Sequence, residues 1–283
     1  MAIATPFRGG AVDYEALFKM INMQKLAGTA AITVCGTTGE ASTMTDDEKY
    51  DVIKFTKECC SDIPVIAGTG ANSTVKALEN SIWAAEAGAD ALLIVTPYYN
   101  KTTQAGLIEH FTYIADRVSK PIIVYNVPSR TGVNIKPETY AVLAEHENIY
   151  GAKEASGNIP MFIEARSRCT EDFSFWSGND DVVVPMMSLG AKGVISVAAN
   201  IMPEVMVRMT SLCLEGQFGE AAGLQIEYSE LISALFCEVN PIPVKAALAI
   251  LSICSDELRL PLVPMTEGGR KALRSAMDKV KIT

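Results

Sequence analysis

Histidine is nearly missing from this chain: His110 and His146 are the only two among 283 residues. A histidine-built metal site and a Ser-His-Asp triad both depend on it, so neither is expected, and no metal is called for. Basic charge is also short. Lys and Arg number 24 against 33 Asp and Glu, a net charge of −9, with no basic run to track nucleic acid or an anionic membrane. A small anion can still be held by one Arg, Lys or helix N-terminus. No apolar run reaches the ~18 residues of a membrane span. Met1 leads almost at once into Thr5-Pro6-Phe7, so no signal peptide is expected and the chain reads as cytoplasmic. The seven cysteines are an odd number and include Cys59-Cys60 but no C-x-x-C spacing, which fits reduced, mostly buried thiols. No nucleotide loop of the G-x-x-x-x-G-K-[ST] or G-x-G-x-x-G type follows any apolar run.

What is present is a repeat of pattern. The length suits either about two domains or a single (β/α)8 barrel of ~250 residues, and 49% apolar residues can build a sizeable core. Short apolar runs recur about every 25 to 30 residues: Ile3-Ala4, 31–34, 65–67, 91–95, 122–125, 151–153, 173–176 and 193–197. Several are apolar on both faces, as parallel strands covered by helices must be. Helical spacing fills the intervals. Asp13 to Ala27 is one such segment, Thr45 to Glu48 reads as a capping box, Ser73 opens a helix running to Gly88, and Pro137 suits a first helical turn. Eight alternations predict a (β/α)8 TIM barrel over residues 1–216. Helices over roughly 203–215, 220–235, 243–258 and 267–281 are expected after it, the last three forming a C-terminal helical extension, 217–283. The first strand has few residues before Thr5 and is expected to be short.

Active sites of such barrels lie beyond the strand C-termini, which reduces the candidates to residues just after each run. Lys153 ends an otherwise uncharged stretch, Ile149 to Ala152. Alternation puts Gly151 and Lys153 on one face and Ala152 and Glu154 on the other. A lysine pointing into a barrel loses hydration, which favours the free amine that attacks a carbonyl. The alternative is a solvated strand-end lysine, or one paired with Glu154. Tyr125, on the neighbouring strand, is either a proton carrier for such an amine or a cap on the barrel mouth. Thr37 and Tyr98 or Tyr99 extend a hydroxyl relay, or the tyrosines form an aromatic interface patch. Gly36 to Glu40 is a Gly-flanked loop whose N–H groups suit a carboxylate, whereas Gly68-Thr69-Gly70 reads as a tight turn. Arg130 follows a stiff Val127-Pro128-Ser129 segment and suits bidentate contact with a second carboxylate, or else a surface salt bridge. Ser177 to Asp181 is favoured as a helix N-cap over a cation site.

Together these motifs resemble a known family. The segments 36–40, 98–101, 125–132, 153–157, 177–180, 193–197 and 240–245 are similar, in order and spacing, to those of dihydrodipicolinate synthase, within the pyruvate-dependent class I aldolases that include N-acetylneuraminate lyase. The resemblance implies that Lys153 forms a Schiff base with pyruvate and that Tyr125, Thr37 and Tyr99 relay protons. It implies that Tyr99 reaches in from a neighbouring subunit of a homo-oligomer, a tetramer built as a dimer of dimers or a dimer. Thr38, the backbone at Ile195 and Gly178 match substrate contacts, and Arg130 matches the residue receiving the carboxylate of aspartate semialdehyde. No cofactor is implied. Arg130 in its Ser-Arg-Thr-Gly setting favours that substrate over the sialic-acid and sugar-acid substrates of sister aldolases. A non-catalytic keto-acid sensor would not need the full relay. Lysine-inhibited members carry a serine where Ala41 stands, histidines at Asp46 and Lys49, and a glutamate at Lys76, so lysine inhibition is not expected here. Asn72 and Tyr98 are kept.

Overall fold

A computed structural model describes residues 1–282. Six parallel strands form its central sheet in sequential order. After a two-residue antiparallel hairpin of β1 (Phe7–Arg8) with β2 (Ala11–Val12), these are β3 (Ile32–Val34), β4 (Val65–Gly68), β5 (Ala91–Val95), β6 (Ile122–Asn126), β7 (Ile149–Glu154) and β8 (Ser174–Ser177). Two irregular segments close the sheet into a barrel. Thr33 N–H donates to Met1 O at 2.7 Å and Ile3 N–H to Thr33 O at 3.0 Å, while Ala2 N–H donates to Ser196 O at 2.8 Å. On the other side Ile195 N–H donates to Ser177 O at 2.9 Å. Closure removes the free edges of the central sheet.

The expected first and eighth strands, Ile3-Ala4 and 193–197, are therefore reduced to single bridges, Ala2 to Thr33 and Ser177 to Val194. The physical reason is Asn200. Its side chain accepts from Ala4 N–H at 3.0 Å and donates to Ala2 O and Val197 O, each at 2.8 Å, taking backbone groups that a ladder would use.

Alternation along the strands explains the continuous apolar runs. In β5, Leu92 and Ile94 face the helices and Leu93 faces the interior; β6 repeats this with Ile122 and Val124 outside and Ile123 and Tyr125 inside. Each fully buried aliphatic contributes roughly 1.5–3 kcal/mol. The capping box forms: Glu48 N–H donates to Thr45 Oγ1 at 3.2 Å and Thr45 N–H to Glu48 Oε2 at 2.9 Å, opening the helix Asp46–Cys59. Asp13 caps Tyr14–Leu26, and Pro137 occupies the first turn of Pro137–Leu143. The helix Thr74–Glu86 begins after Ser73, whose hydroxyl makes no capping bond.

The C-terminal helices are more broken than the periodicity suggests. The 220–235 segment divides at Tyr228 into Phe218–Glu227 and Ser229–Ala234. The 243–258 segment stops at Ile250, because Ser252 takes a left-handed φ of 56°. Glu267–Lys279 completes the chain's helices. All seven cysteines are free, and no described helix is long and apolar enough to cross a membrane.

Candidate active site

β6 and β7 pair with Tyr125 opposite Lys153, which sends both side chains into the barrel. Lys153 Nζ lies 4.4 Å from the Tyr125 ring centroid, and Lys153 is 5% exposed. It makes no ion pair with any described residue. Glu154 turns the other way, as the strand period requires. Its Oε2 accepts from Tyr140 Oη at 2.5 Å and Asn126 Nδ2 at 2.9 Å, and its Oε1 from Ser156 N–H at 2.6 Å. Burial, and secondarily the Glu154 charge, hold the Tyr140 phenol well above its ordinary pKa. The pairing of Lys153 with Glu154 is thus excluded, and the amine is left facing open space.

That space is a cavity of about 160 Å³, with walls that include Thr37, Thr38, Tyr125, Arg130, Lys153 and Gly178. Gly178 is there for want of room: a Cβ would sit 2.5 Å from Ala155 Cβ and 3.1 Å from Lys153 Cε. Thr37 and Thr38 belong to the turn after β3, where Gly39 N–H donates to Gly36 O and Glu40 N–H to Thr37 O, both at 3.1 Å. Arg130 rides on the short helix Pro128–Thr131 at the exposed rim, and its Nη2 donates to Asn240 O at 3.3 Å. It forms no salt bridge among the described residues, so its charge is available to a bound anion.

Two expected residues are not walls of this cavity. Ile195 lies in the interior cluster with Tyr125 and Ala155, its N–H already given to Ser177 O. Tyr99 is 90% exposed at a left-handed φ of 69°, outside the walls of its own chain's Lys153 pocket. Ser177 to Asp181 does not form the side-chain N-cap expected of it. Asn179 precedes a short 3₁₀ turn without a side-chain cap, while Asp180 Oδ2 crosses to accept from Val197 and Ala198 N–H at 2.9 and 3.0 Å. Burial pushes the Asp180 carboxyl up, opposed first by hydrogen bonds from Ser196 and those two amides, and last by the charge of Lys153. No cluster of three metal-ligating groups occurs among the described residues.

Asn240 belongs to the 240–245 motif, which by itself assigns it no role. The fold brings it into the cavity wall, where its Nδ2 donates to Thr38 Oγ1 at 3.0 Å and its buried Oδ1 has no partner among the described residues. A larger cavity, about 400 Å³, shares Thr37 and Tyr125 with the first and extends to Tyr98, Trp83, Asp46, Lys49 and Lys76. The site with the amine is nevertheless the smaller one, because only there do a nucleophile and a free guanidinium face the same space.

Comparison with known proteins agrees with this geometry. The family model described as the dihydrodipicolinate synthetase family matches residues 1–280. A 4-hydroxy-tetrahydrodipicolinate synthase of Geobacter sulfurreducens is 50% identical, covering 100% of this chain and 98% of the relative. One of Thermoanaerobacter sp. is 51% identical, covering 99% and 95%. Among solved structures, dihydrodipicolinate synthase from Aquifex aeolicus superposes with a TM-score of 0.97 at 46% identity, covering 100% of this chain and 97% of the other. A monomeric dihydrodipicolinate synthase variant gives 0.98 at 42%, covering 100% and 96%. With the barrel, the buried lysine on β7 and full-length similarity in agreement, the chain belongs to the dihydrodipicolinate synthetase family.

Proposed function

We propose that this protein is a lyase that condenses pyruvate with L-aspartate 4-semialdehyde to 4-hydroxy-tetrahydrodipicolinate, a step of lysine and diaminopimelate biosynthesis. Family membership and full-length relatives bearing that name support the reaction. The observation that carries the chemistry is Lys153: buried, without an anionic partner, and set over Tyr125 in a cavity with Arg130 at its rim.

The Lys153 amine adds to the pyruvate ketone, and loss of water leaves an iminium. Loss of a methyl proton gives the enamine, whose carbon attacks the aldehyde of the second substrate. The amine of that substrate then adds to the former ketone carbon, closing the ring and releasing Lys153. Each proton movement requires a carrier beside the reacting atoms, and the tyrosine and threonine hydroxyls of Tyr125 and Thr37 are the groups at hand. Thr38 holds the pyruvate carboxylate, and Gly178 leaves room beside the lysine; the Ile195 N–H, bonded to Ser177 O, is not free to join it. Arg130 takes the carboxylate of the semialdehyde.

Tyr99 completes the relay from a second copy of the chain, which makes the working unit a homodimer or a tetramer of two such dimers. Its almost complete exposure at a left-handed tip supports insertion into a neighbour. The active barrel ends near residue 216, with 217–283 as an appended helical unit, and the enzyme works in the cytoplasm. Borohydride reduction with pyruvate tests the mechanism. A pyruvate-derived mass is expected on the peptide containing Lys153, and label on another lysine, or on none, overturns it.

A further inference from the structure

The turn that carries Thr37 and Thr38 is held from the far end of the chain. Glu40 closes that turn in a left-handed conformation, φ 54°, unfavourable for a residue with a side chain. Its carboxylate is fully buried and meets Lys245 Nζ at 2.6 Å, itself fully buried on the helix Ile242–Ile250. The second oxygen accepts from Arg259 N–H at 3.2 Å. Phe7 lies against both cations, 4.3 Å from Lys245 Nζ and 4.2 Å from Arg259 Cζ. Burial pushes the Lys245 ammonium down from its ordinary pKa, and the hydrogen bond to Glu40 is the main effect opposing it. Just before that helix begins, Asn240 donates to Thr38 Oγ1.

Such a pair is poorly explained by stability. Removing two charges from water costs about what their attraction returns, and apolar pairs of similar volume are often as stable. What the pair does supply is position. Glu40 N–H is bonded to Thr37 O and Ala41 N–H to Gly36 O, so the turn moves as a unit with its Glu40 end. Fixing that carboxylate therefore fixes both threonines relative to Lys153.

We propose that Lys245 and Glu40 are positioning residues for the pyruvate half of the site, through which the C-terminal segment sets the Thr37-Thr38 turn against Lys153. The proposal rests on the reading of pyruvate as first substrate. Misplacement of a binding group by about 1 Å can cost on the order of a hundredfold, so a partial release of the turn should cost about tenfold. The test is the double variant Glu40→Gln/Lys245→Met, which leaves no lone buried charge. Its thermal midpoint should stay within a few degrees of the unaltered protein. Its half-saturating pyruvate concentration, in borohydride trapping and in turnover, should rise about tenfold, while KM for the semialdehyde at saturating pyruvate stays within about twofold. Unchanged pyruvate saturation in the folded variant overturns the proposal, as does an equal rise for both substrates. Should the double variant not fold, Glu40→Asp keeps both charges and shortens the arm by one methylene. A severalfold rise in pyruvate half-saturation is then expected, and none refutes the proposal. Absence of trapping in the unaltered protein would refute instead the proposed function.

Discussion

Replacing Arg130 by Met separates the two substrates. The guanidinium makes one intramolecular hydrogen bond among the described residues, at 3.3 Å to a neutral carbonyl at an exposed rim, and no salt bridge. Its removal leaves no buried charge, so the folded protein should lose less than about 0.5 kcal/mol, as for surface substitutions generally. The effect on the reaction should be much larger. A charge-assisted bond from arginine to a carboxylate contributes about 1.5–3 kcal/mol, and methionine fills similar volume without donating. At about 1.4 kcal/mol per tenfold, kcat/KM for aspartate semialdehyde should fall by roughly 10- to 150-fold. Lys153 and Thr38 are untouched, so pyruvate trapping by borohydride should keep its half-saturation within about twofold. Coupled turnover at saturating pyruvate with varied semialdehyde, alongside trapping, measures both quantities. If pyruvate half-saturation rose in parallel with the loss of kcat/KM, Arg130 would be holding the first substrate's carboxylate, and the assignment above would be wrong.

Three other outcomes follow from the geometry. Free lysine should not half-inhibit below about a millimolar. In the larger cavity Asp46 is already shared by Lys49 at 3.2 Å and Lys76 at 2.9 Å, and a further ammonium ~4–6 Å from either cation meets roughly 3–4 kcal/mol of repulsion that Asp46 offsets in part; inhibition at lower concentration in an activity titration would show the cavity still accepts it. Gly178→Ala should lower thermal stability by about 1–3 kcal/mol and slow trapping, because the new methyl overlaps Ala155 and presses on Lys153; wild-type rates and melting would refute the crowding. His110 is buried beside Thr74 and held neutral by desolvation, its pKa lowered to about 4. Its folded pKa lies below the unfolded value of about 6.5, so stability is lost as pH falls from about 6.5 toward 4. His110→Gln should flatten that part of the curve in denaturant titrations, and an unchanged slope would show that His110 does not set it.

The chain's periodicity was enough to expose the barrel. Apolar runs such as 91–95 and 122–125 are continuous because both faces of those strands are buried, and an alternating count of such runs with helices admits few other architectures. Caps were legible for the same local reason: Thr45 and Glu48 satisfy each other's backbone within four residues. Lys153 stood out because a charge within an apolar run needs an explanation, and its face followed from the strand period. What periodicity cannot carry is any contact made across sequence. Asn200 reduced the expected first strand to a bridge through side-chain bonds reaching back 196 and 198 residues. Asp180 became a clasp on Val197 and Ala198 rather than a cap, because the barrel brings those amides over it. The bend at Tyr228 and the stop at Ser252 override helical spacing that is locally sound. The sequence by itself determined which residues could do chemistry, since residue type and strand parity are local properties. Which of them meet was decided by closure of the barrel and by the return of residues 240–259 onto the turn at 36–40. Those contacts join points some 200 residues apart, and their energy is realised only once the whole fold has formed.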